Sequence, residues 1–442
     1  MSSAPVTHSV RLVPEKCVGC TTCIKKCPTE AIRVRKGRAF IIEERCIDCG
    51  ECIRTCPHGA KAAVSDPLSM IENFRFRIAI PAPALYSQFD ESASVDRLLS
   101  GLLALGFDRV FEVAEAAQIV TDATRELLAR AGGKGRPKRP MISSACPAVV
   151  RLVQLRFPSL IGHLVPLIPP MEVAAREARR RFFPGEKDAG VFFVTPCAGK
   201  VTVTRSPLGY GRSAIDGVIG IRDIFPPLLS ASRSVRESRL ARAGRAGIGW
   251  ARVDGESDAI GERNAISVDG IANVIGVLEA LENGKLCAVA YIEALACPAG
   301  CVGGPLTVEN PYIAKTRLRD REAAAEAAPS APQGDGAAPA DRVDLAWTEP
   351  VKPRSALVLS PDMLKALVML EEIEHRASAL PGLDCGSCGA PTCRALAEDI
   401  VRGIAPETDC VFRLRESVRK LARELMALEE LEPPGLDRSG GG

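Results

Sequence analysis

The 442-residue chain has little net charge, few aromatic side chains and no long apolar run. Lys and Arg number 57 against 54 Asp and Glu, a formal charge of +3, so no nucleic-acid footprint is implied. Aromatics at 4% supply too few platforms for stacking single-stranded bases. No run of about 18 apolar residues exists, so no membrane span is expected. Met1 to Pro14 contain no apolar h-region of a secretory signal, which leaves the cytoplasm as the expected location. The basic loop Gly132 to Pro140 lacks a GKS/T pattern and reads as a surface connection, not a phosphate site. No nicotinamide or flavin fingerprint stands out, so such coupling would need another subunit.

What the chain does have is cysteine, 17 in all. In a cytoplasmic chain that number argues for metal rather than disulfides. Cys17, Cys20, Cys23 and Cys27-Pro28 recur in spacing as Cys46, Cys49, Cys52 and Cys56-Pro57. This is the bacterial ferredoxin spacing, in which the fourth cysteine of each run ligates the other cluster. One 4Fe–4S cluster is therefore assigned to Cys17, Cys20, Cys23 and Cys56, the other to Cys46, Cys49, Cys52 and Cys27. Small residues such as Gly19 and Gly50 let backbone amides approach the sulfides. Such a pair carries electrons and performs no chemistry of its own.

A second group of cysteines follows short apolar runs. Met141-Ile-Ser-Ser-Ala-Cys146-Pro, Val191-Phe-Phe-Val-Thr-Pro-Cys197 and the run Leu286 to Ile292 before Cys297 all read as buried strands ending in Gly- or Pro-marked turns. Cys301 lies four residues beyond Cys297. In an open α/β sheet, strand C-termini share one edge, where ligands bind. Four thiols there make an iron–sulfur or zinc constellation. Phe76 to Ala82 and Val110 to Val113 also read as strands. Val95 to Leu105, Ala116 to Ala131 and Asp269 to Asn283 read as helices, the last burying Ile271, Val274, Ile275, Leu278 and Leu281. The alternation supports α/β. Cys287, inside the last apolar run, is expected to be a buried structural thiol.

The three segments Ser143-Ser-Ala-Cys-Pro147, Thr195-Pro-Cys-Ala-Gly-Lys200 and Glu293-Ala-Leu-Ala-Cys-Pro-Ala-Gly-Cys-Val-Gly-Gly304 resemble, in order, spacing and residue type, the signatures of the FeFe hydrogenases. That family reads roughly TSCCP, MPCxxK and ExMxCxxGCxxGG. Its active site, the H-cluster, is a 4Fe–4S cube joined through a cysteine sulfur to a two-iron unit carrying CO, cyanide and a bridging dithiolate amine. The resemblance implies Cys146, Cys197, Cys297 and Cys301 as cube ligands, with Cys301 as the bridge. It implies that Lys200 donates to a cyanide, and that Ala82-Pro83-Ala84, Thr195 and Leu295 surround the two-iron unit.

The departures lie on the proton side. The first Cys of TSCCP, the family's proton donor, is Ala145 here, and a methyl cannot relay a proton. The family's HLSxxxSP is His163-Leu-Val-Pro-Leu-Ile-Pro-Pro170, with Val165 at the relay serine. The region of the relay glutamates, Val120 to Glu126, shows no matching pair. The methionines of the second and third motifs are Thr195 and Leu295. Loss of a positioned acid–base group costs about 10²–10⁴ in rate, which suits a product of information better than one of flux. The expected function is a slow, sensory or regulatory enzyme of hydrogen and protons (H2 = 2H+ + 2e-), linked to ferredoxin or another redox protein. An ordinary catalytic hydrogenase with a different proton path, and a hydrogenase-like iron–sulfur assembly protein, are the alternatives.

Residues 320 to 352 are rich in Ala, Pro and Gly and read as a disordered linker. Beyond a helix at Met363 to Ala379, the spacing of Cys385, Cys388, Cys393 and Cys410 resembles a small 4Fe–4S module, with zinc as the alternative metal. A helix over Arg394 to Gly403 would be closed by its glycine. Val411, Leu414, Val418, Leu421, Leu425 and Leu428 form a heptad seam ended by Pro433 and Pro434. The seam suits packing on its own domain or a signalling partner or second copy. The expected architecture is an α+β ferredoxin-like domain (8–68), an α/β hydrogenase domain with strand-end cysteines (74–318), a linker (319–352) and a small, mostly α module (353–432).

Overall fold

The computed structural model describes residues 8–130, 138–325 and 343–429. The chain divides into two compact units, Met1–Glu15 with Glu43–Ala356, and Lys16–Ile42 with Leu357–Gly442. The cysteine repeat is thus shared out: its first run lies in the second unit and its second run in the first.

The larger unit contains two parallel sheets. One runs Arg109–Val110, Phe76–Pro81, Ala189–Thr195, Gly217–Gly220 in spatial order. The other runs Ala265–Asp269, Tyr291–Leu295, Met141–Ile142. Ala-Gly-Val-Phe-Phe-Val-Thr is buried at every position. A central parallel strand is covered by helices on both faces, so its sequence is continuously apolar instead of alternating. Helices Pro147–Arg156, Ala198–Arg205, Ile221–Ser234 and Ile271–Glu282 each follow a strand. Helix Val95–Ala104 begins at Ser94, whose hydroxyl accepts the Arg97 N–H at 3.0 Å, a typical N-cap.

Each sheet has its own core. Leu98, Leu102, Phe192, Val194, Ile224 and Leu228 fill the first. Phe192 meets Phe74 and Phe107 edge-on, with centroids 5.5 and 6.0 Å apart. Val149, Leu152, Val153, Val274, Leu278 and Ile292 fill the second, together with Ile47 and Cys49 from the second cysteine run. Full burial of one such side chain contributes about 1.5–3 kcal/mol. The second cysteine run is therefore part of a hydrophobic core of the larger unit. Strand Val10–Leu12 pairs antiparallel with Lys61–Ala63 and closes it off.

The smaller unit joins the hairpin Ile32–Arg35/Arg38–Ile41 to helices Met363–Ala379, Cys393–Val401 and Val411–Glu429. Arg33, 1% exposed, forks onto Asp399 through Nε at 2.7 Å and Nη2 at 3.1 Å. The Val34 N–H donates to the Gly389 carbonyl at 2.8 Å. Gly389 has φ +77, and a Cβ there would stand 1.8 Å from the Val34 carbonyl oxygen. Only glycine permits that approach.

Several expectations are corrected. The cysteine-bearing strands belong to two sheets, Ala189–Thr195 to one and Met141–Ile142 with Tyr291–Leu295 to the other. The strand expected at Val110 to Val113 stops at Val110, because helix Val113–Arg130 takes over. Leu286 to Ala290 precede their strand, and Cys287 is exposed, its thiol donating to the Gly284 carbonyl at 3.1 Å. The linker expected over 319–352 opens inside helix Pro311–Ala324 and closes on residues fixed to the larger unit: the Trp347 N–H donates to the Pro166 carbonyl at 3.0 Å. Residues 326–342, most of the basic loop and Pro433-Pro434 lie outside the described residues. The helices at Met363–Ala379 and Cys393–Val401 match expectation, and Gly403 has φ +71.

Candidate active site

The central thiols occupy strand-to-helix junctions. Cys146 is the N-cap of helix Pro147–Arg156 and Cys197 the N-cap of helix Ala198–Arg205. A helix N-terminus favours negative charge, so it suits a thiolate ligand. Cys297 follows strand Tyr291–Leu295, and Cys301 opens the tight turn Cys301–Gly303. The two glycines of the third motif are there for contact. A Cβ on Gly303 would stand 2.1 Å from the Pro298 carbonyl oxygen, and one on Gly304 2.2 Å from that of Pro196. The third motif is thereby pressed onto the second.

Cys297 is buried and Cys146, Cys197 and Cys301 are half-buried, and desolvation is the first cause pushing each thiol up from the ordinary value. Lys200, one turn into its helix, faces all four. Burial opposes its charge, and ionised sulfurs, Cys301 foremost, would favour it and raise the ammonium above its ordinary value. Among the described residues no carboxylate pairs with it. The Phe193 ring lies beside it, with the centroid 5.9 Å from Nζ. No three of these thiols lie within 4.8 Å of one another among the described residues. A tetrahedral zinc with bonds of 2.3 Å needs sulfurs about 3.8 Å apart. The donor set is too open for one zinc ion and suits a larger cluster.

Ala145 and Lys200 line one cavity of about 330 Å³, mouth included, together with Ser144, Pro169, Met171 and Trp347. Trp347 comes from the stretch expected to be disordered, so nothing in its local composition pointed to this role. Ala82 donates its N–H to the Val194 carbonyl at 3.0 Å, and the turn Pro83–Gln88 packs against Cys301–Gly303. The Thr195 hydroxyl accepts the Cys197 N–H at 3.2 Å, and Leu295 is buried. Ala82, Thr195 and Leu295 sit at or just past strand C-termini, and neither they nor Pro83 and Ala84 line the cavity that holds Ala145 and Lys200.

The Val120 to Glu126 stretch offers no inward carboxylate. The Thr121 and Thr124 hydroxyls donate to carbonyls of their own helix, and Asp122 and Glu126 pair with arginines at the surface. A different acidic group lies on the other side of Ala145. The Ser143 hydroxyl accepts the Ala145 N–H at 3.3 Å and donates to Glu256 at 2.8 Å. The Tyr291 hydroxyl donates to the same carboxylate at 2.5 Å. Glu293 accepts the Ser257 N–H at 2.8 Å, while its Oε1 is buried with no partner among the described residues. Burial, then mutual repulsion, raises Glu256 well above the ordinary carboxylate range, and burial raises Glu293. Glu256 was missed because its partners are scattered through the sequence.

The second cysteine run is bolted beside this site. Asp48, between Cys46 and Cys49, accepts from Arg151 at 2.8 Å, Thr202 at 2.7 Å and the Ser9 N–H at 2.9 Å. His8, Cys46 and Asp48 come within 4.8 Å, but that carboxylate is already saturated. Arg54 donates to Cys297 Sγ at 3.5 Å. Cys56 Sγ accepts the Ala60 N–H at 3.2 Å. In the smaller unit Cys27 Sγ accepts the Ala31 N–H at 3.2 Å, and Cys17 Sγ the Ala39 N–H at 3.4 Å. Amide bonds of this type help set cluster potentials. There too, Cys385, Cys388, Cys393 and Cys410 line a single cavity of about 330 Å³. No three of them approach within 4.8 Å of one another, which again suits a cluster better than zinc.

Fold and donor sets point to an iron–sulfur redox protein with a half-buried four-thiol centre. The family described as the iron only hydrogenase large subunit, C-terminal domain, matches residues 75–233 and 241–305, just over half the chain. The chain belongs to that family. A 4Fe-4S dicluster domain matches residues 7–60, and an Fe-S cluster family matches residues 380–412. The NADP-reducing hydrogenase subunit HndD of Solidesulfovibrio fructosivorans is 24% identical over 67% of this chain and 56% of its own length. The periplasmic Fe hydrogenase large subunit of Nitratidesulfovibrio vulgaris is 30% identical over 35% of this chain and 41% of its own. The chain thus spans about half the length of these curated relatives. One component of the ion-translocating oxidoreductase complex of Rhodobacter capsulatus is 42% identical over 57 residues, 13% of this chain and 30% of its own length. A variant of the FeFe-hydrogenase HydA1 from Chlamydomonas reinhardtii superposes with a TM-score of 0.48 at 15% identity, over 60% of this chain and 91% of that one. Among the described residues no helix is long and apolar enough to cross a membrane.

Proposed function

We propose that this hydrogenase-family protein responds to hydrogen at an H-cluster held by Cys146, Cys197, Cys297 and Cys301, and turns it over slowly enough to act as a sensor. The observation that carries the reading is Lys200, a half-buried lysine that lines one cavity with Ala145, lies among the four thiols and pairs with no carboxylate among the described residues. A lysine ammonium at that cavity wall would attract an anionic group bound in it. When bound, the H-cluster supplies heterolytic cleavage of hydrogen and a store for its electrons.

The chain's own residues explain the slow rate. Lys200 donates to an anionic ligand. Ala145 stands where the family's relay cysteine would, and its methyl neither takes nor gives a proton. Val165 is buried, with its N–H spent on the Ile142 carbonyl at 2.9 Å. Ala82, Pro83, Ala84, Thr195 and Leu295 shape the two-iron side without offering an acid. Eight cysteines of the repeat and four of the C-terminal module hold three further cubes that lead electrons away to a ferredoxin or another redox protein. Leu414, Val418, Leu421, Leu425 and Leu428 are exposed along one seam and suit a signalling partner or a second copy. Such a use of thiols belongs in a reducing cytoplasm.

A second reading has its own support. Ser143, Glu256, Tyr291 and Glu293 form a buried acid group that holds a proton at neutral pH, so a slower catalytic hydrogenase could deliver protons through it. The test is hydrogen uptake by the matured protein, wild type against Ala145→Cys. The sensory reading expects the variant to gain about 10²-fold or more. Equal rates, with Glu256→Gln abolishing both, would favour the catalytic reading.

A further inference from the structure

Arg54 is a cation that neither the ferredoxin repeat nor the central site requires. It ends the short helix Glu51–Arg54, inside the second cysteine run. Its guanidinium touches both redox regions of the larger unit. Nη1 donates to Cys297 Sγ at 3.5 Å, and Nη2 donates to the Cys49 carbonyl at 3.0 Å and to Glu51 Oε2 at 3.0 Å. The side chain is 20% exposed. The position is fixed from behind by Asp48 on Arg151 and by Gly50 on Pro305, where a Cβ would come within 2.7 Å.

We propose that Arg54 is a positioning residue that sets the reduction potential of the central cube, holding one fixed positive charge on its Cys297 ligand. The proposal rests on the reading that Cys297 ligates that cube. Reduction adds one electron to the cube and no proton. A guanidinium does not deprotonate in proteins, so its charge is present at every working pH. It therefore favours the reduced cube, and its N–H bond to the sulfur acts in the same direction. Glu51, on the far side of the guanidinium, opposes it. The Cys49 contact extends the same field to the neighbouring ferredoxin cluster. A central cube that accepts an electron readily registers hydrogen even when turnover is slow.

The test uses the full-length chain with its 4Fe–4S cubes reconstituted and no two-iron unit. Dithionite titrations are followed by electron paramagnetic resonance, the central cube being the signal absent from Cys297→Ala. Arg54→Gln is expected to lower the reduced-to-oxidised ratio at the wild-type midpoint by about tenfold, a shift of about 59 mV for one electron. Arg54→Lys keeps the charge and is expected to recover part of the shift. Glu51→Gln is expected to shift in the opposite direction. An unmoved midpoint in Arg54→Gln with all cubes present overturns the proposal. If Arg54→Gln loses a cube, Glu51→Gln decides: a raised midpoint supports the proposal and an unchanged one overturns it. The hydrogen reading is judged separately, by infrared bands of the matured wild type, so either idea can fail alone.

Discussion

The two cysteine runs have the same spacing, yet the fold uses them differently. The second run is built into the larger unit. Its Ile47 and Cys49 lie in a core of that unit, its Asp48 is locked onto Arg151, and its Arg54 touches a central thiol. The first run is built into the smaller unit. The Lys25 ammonium donates to the Pro391 carbonyl at 2.8 Å, Arg35 to the Cys388 carbonyl at 2.5 Å, and Arg33 pairs with Asp399. One run thus lies against Arg151 and Cys297, and the other against Cys388, Pro391 and Asp399. Identical ligand spacing fixes what each run binds. The residues between the ligands, Asp48 and Arg54 in one and Lys25 in the other, fix which neighbour it serves.

The largest effects that would break this division come from its buried ion pairs. Truncating one member of such a pair leaves the other charge short of its partner and costs about 3–5 kcal/mol. Asp399→Ala is expected to weaken hydrogen-exchange protection most in the smaller unit, and Asp48→Ala most in the larger unit. Equal loss in both units from either variant would contradict the division.

A smaller effect depends on pH. Burial, then the Glu112 charge, lifts Glu115 to about 7 from 4.5. Between those values the folded chain keeps a proton that the unfolded chain has released. Stability therefore falls as pH rises through the window, by about 3 kcal/mol in total. Glu115→Gln should reduce that slope in the larger unit, where Glu256 and Glu293 also contribute, and leave the smaller unit unchanged, as read by denaturant midpoints at pH 5 and pH 8.

Gly19 and Gly50 hold equivalent places in the two runs, at φ +68 and +73. A side chain in that conformation costs about 1–2 kcal/mol. A Cβ on Gly19 would also stand 2.6 Å from the Gly37 carbonyl oxygen, whereas one on Gly50 meets the Pro305 side chain at 2.7 Å. Backbone yields less than a ring edge, so Gly19→Ala is expected to lower its unit's melting temperature more than Gly50→Ala does. The smallest effect belongs to Cys287→Ser. The exposed thiol should change stability by less than about 0.5 kcal/mol and leave the iron content unaltered.

Much of this was legible in the chain. Ligand spacing marks the cluster cysteines, because a cube needs several thiolates from one tight loop. A continuous apolar run marks Ala189–Thr195, because a strand buried on both faces has no polar side. Contacts made by distant parts of the chain were not legible. Ser143, Glu256 and Tyr291 meet only after the second sheet forms, and a buried carboxylate looks like any other in sequence. Trp347 lies among residues whose composition suggests solvent exposure. Cys287 sits in an apolar run that turns back at the surface before its strand begins. That the cysteine strands come from two sheets instead of one edge follows from strand pairing, which local pattern does not encode.

The functional reading turns on whether Cys146, Cys197, Cys297 and Cys301, with Lys200 beside them, hold a hydrogen-responsive H-cluster. The infrared spectrum of the protein matured with a two-iron precursor under anoxia, with and without hydrogen, decides this. We expect bands from bound CO and cyanide that shift under hydrogen and change on Lys200→Met. A spectrum without such bands, in protein that retains its 4Fe–4S cubes, would overturn the reading and leave an iron–sulfur assembly or electron-transfer protein in its place.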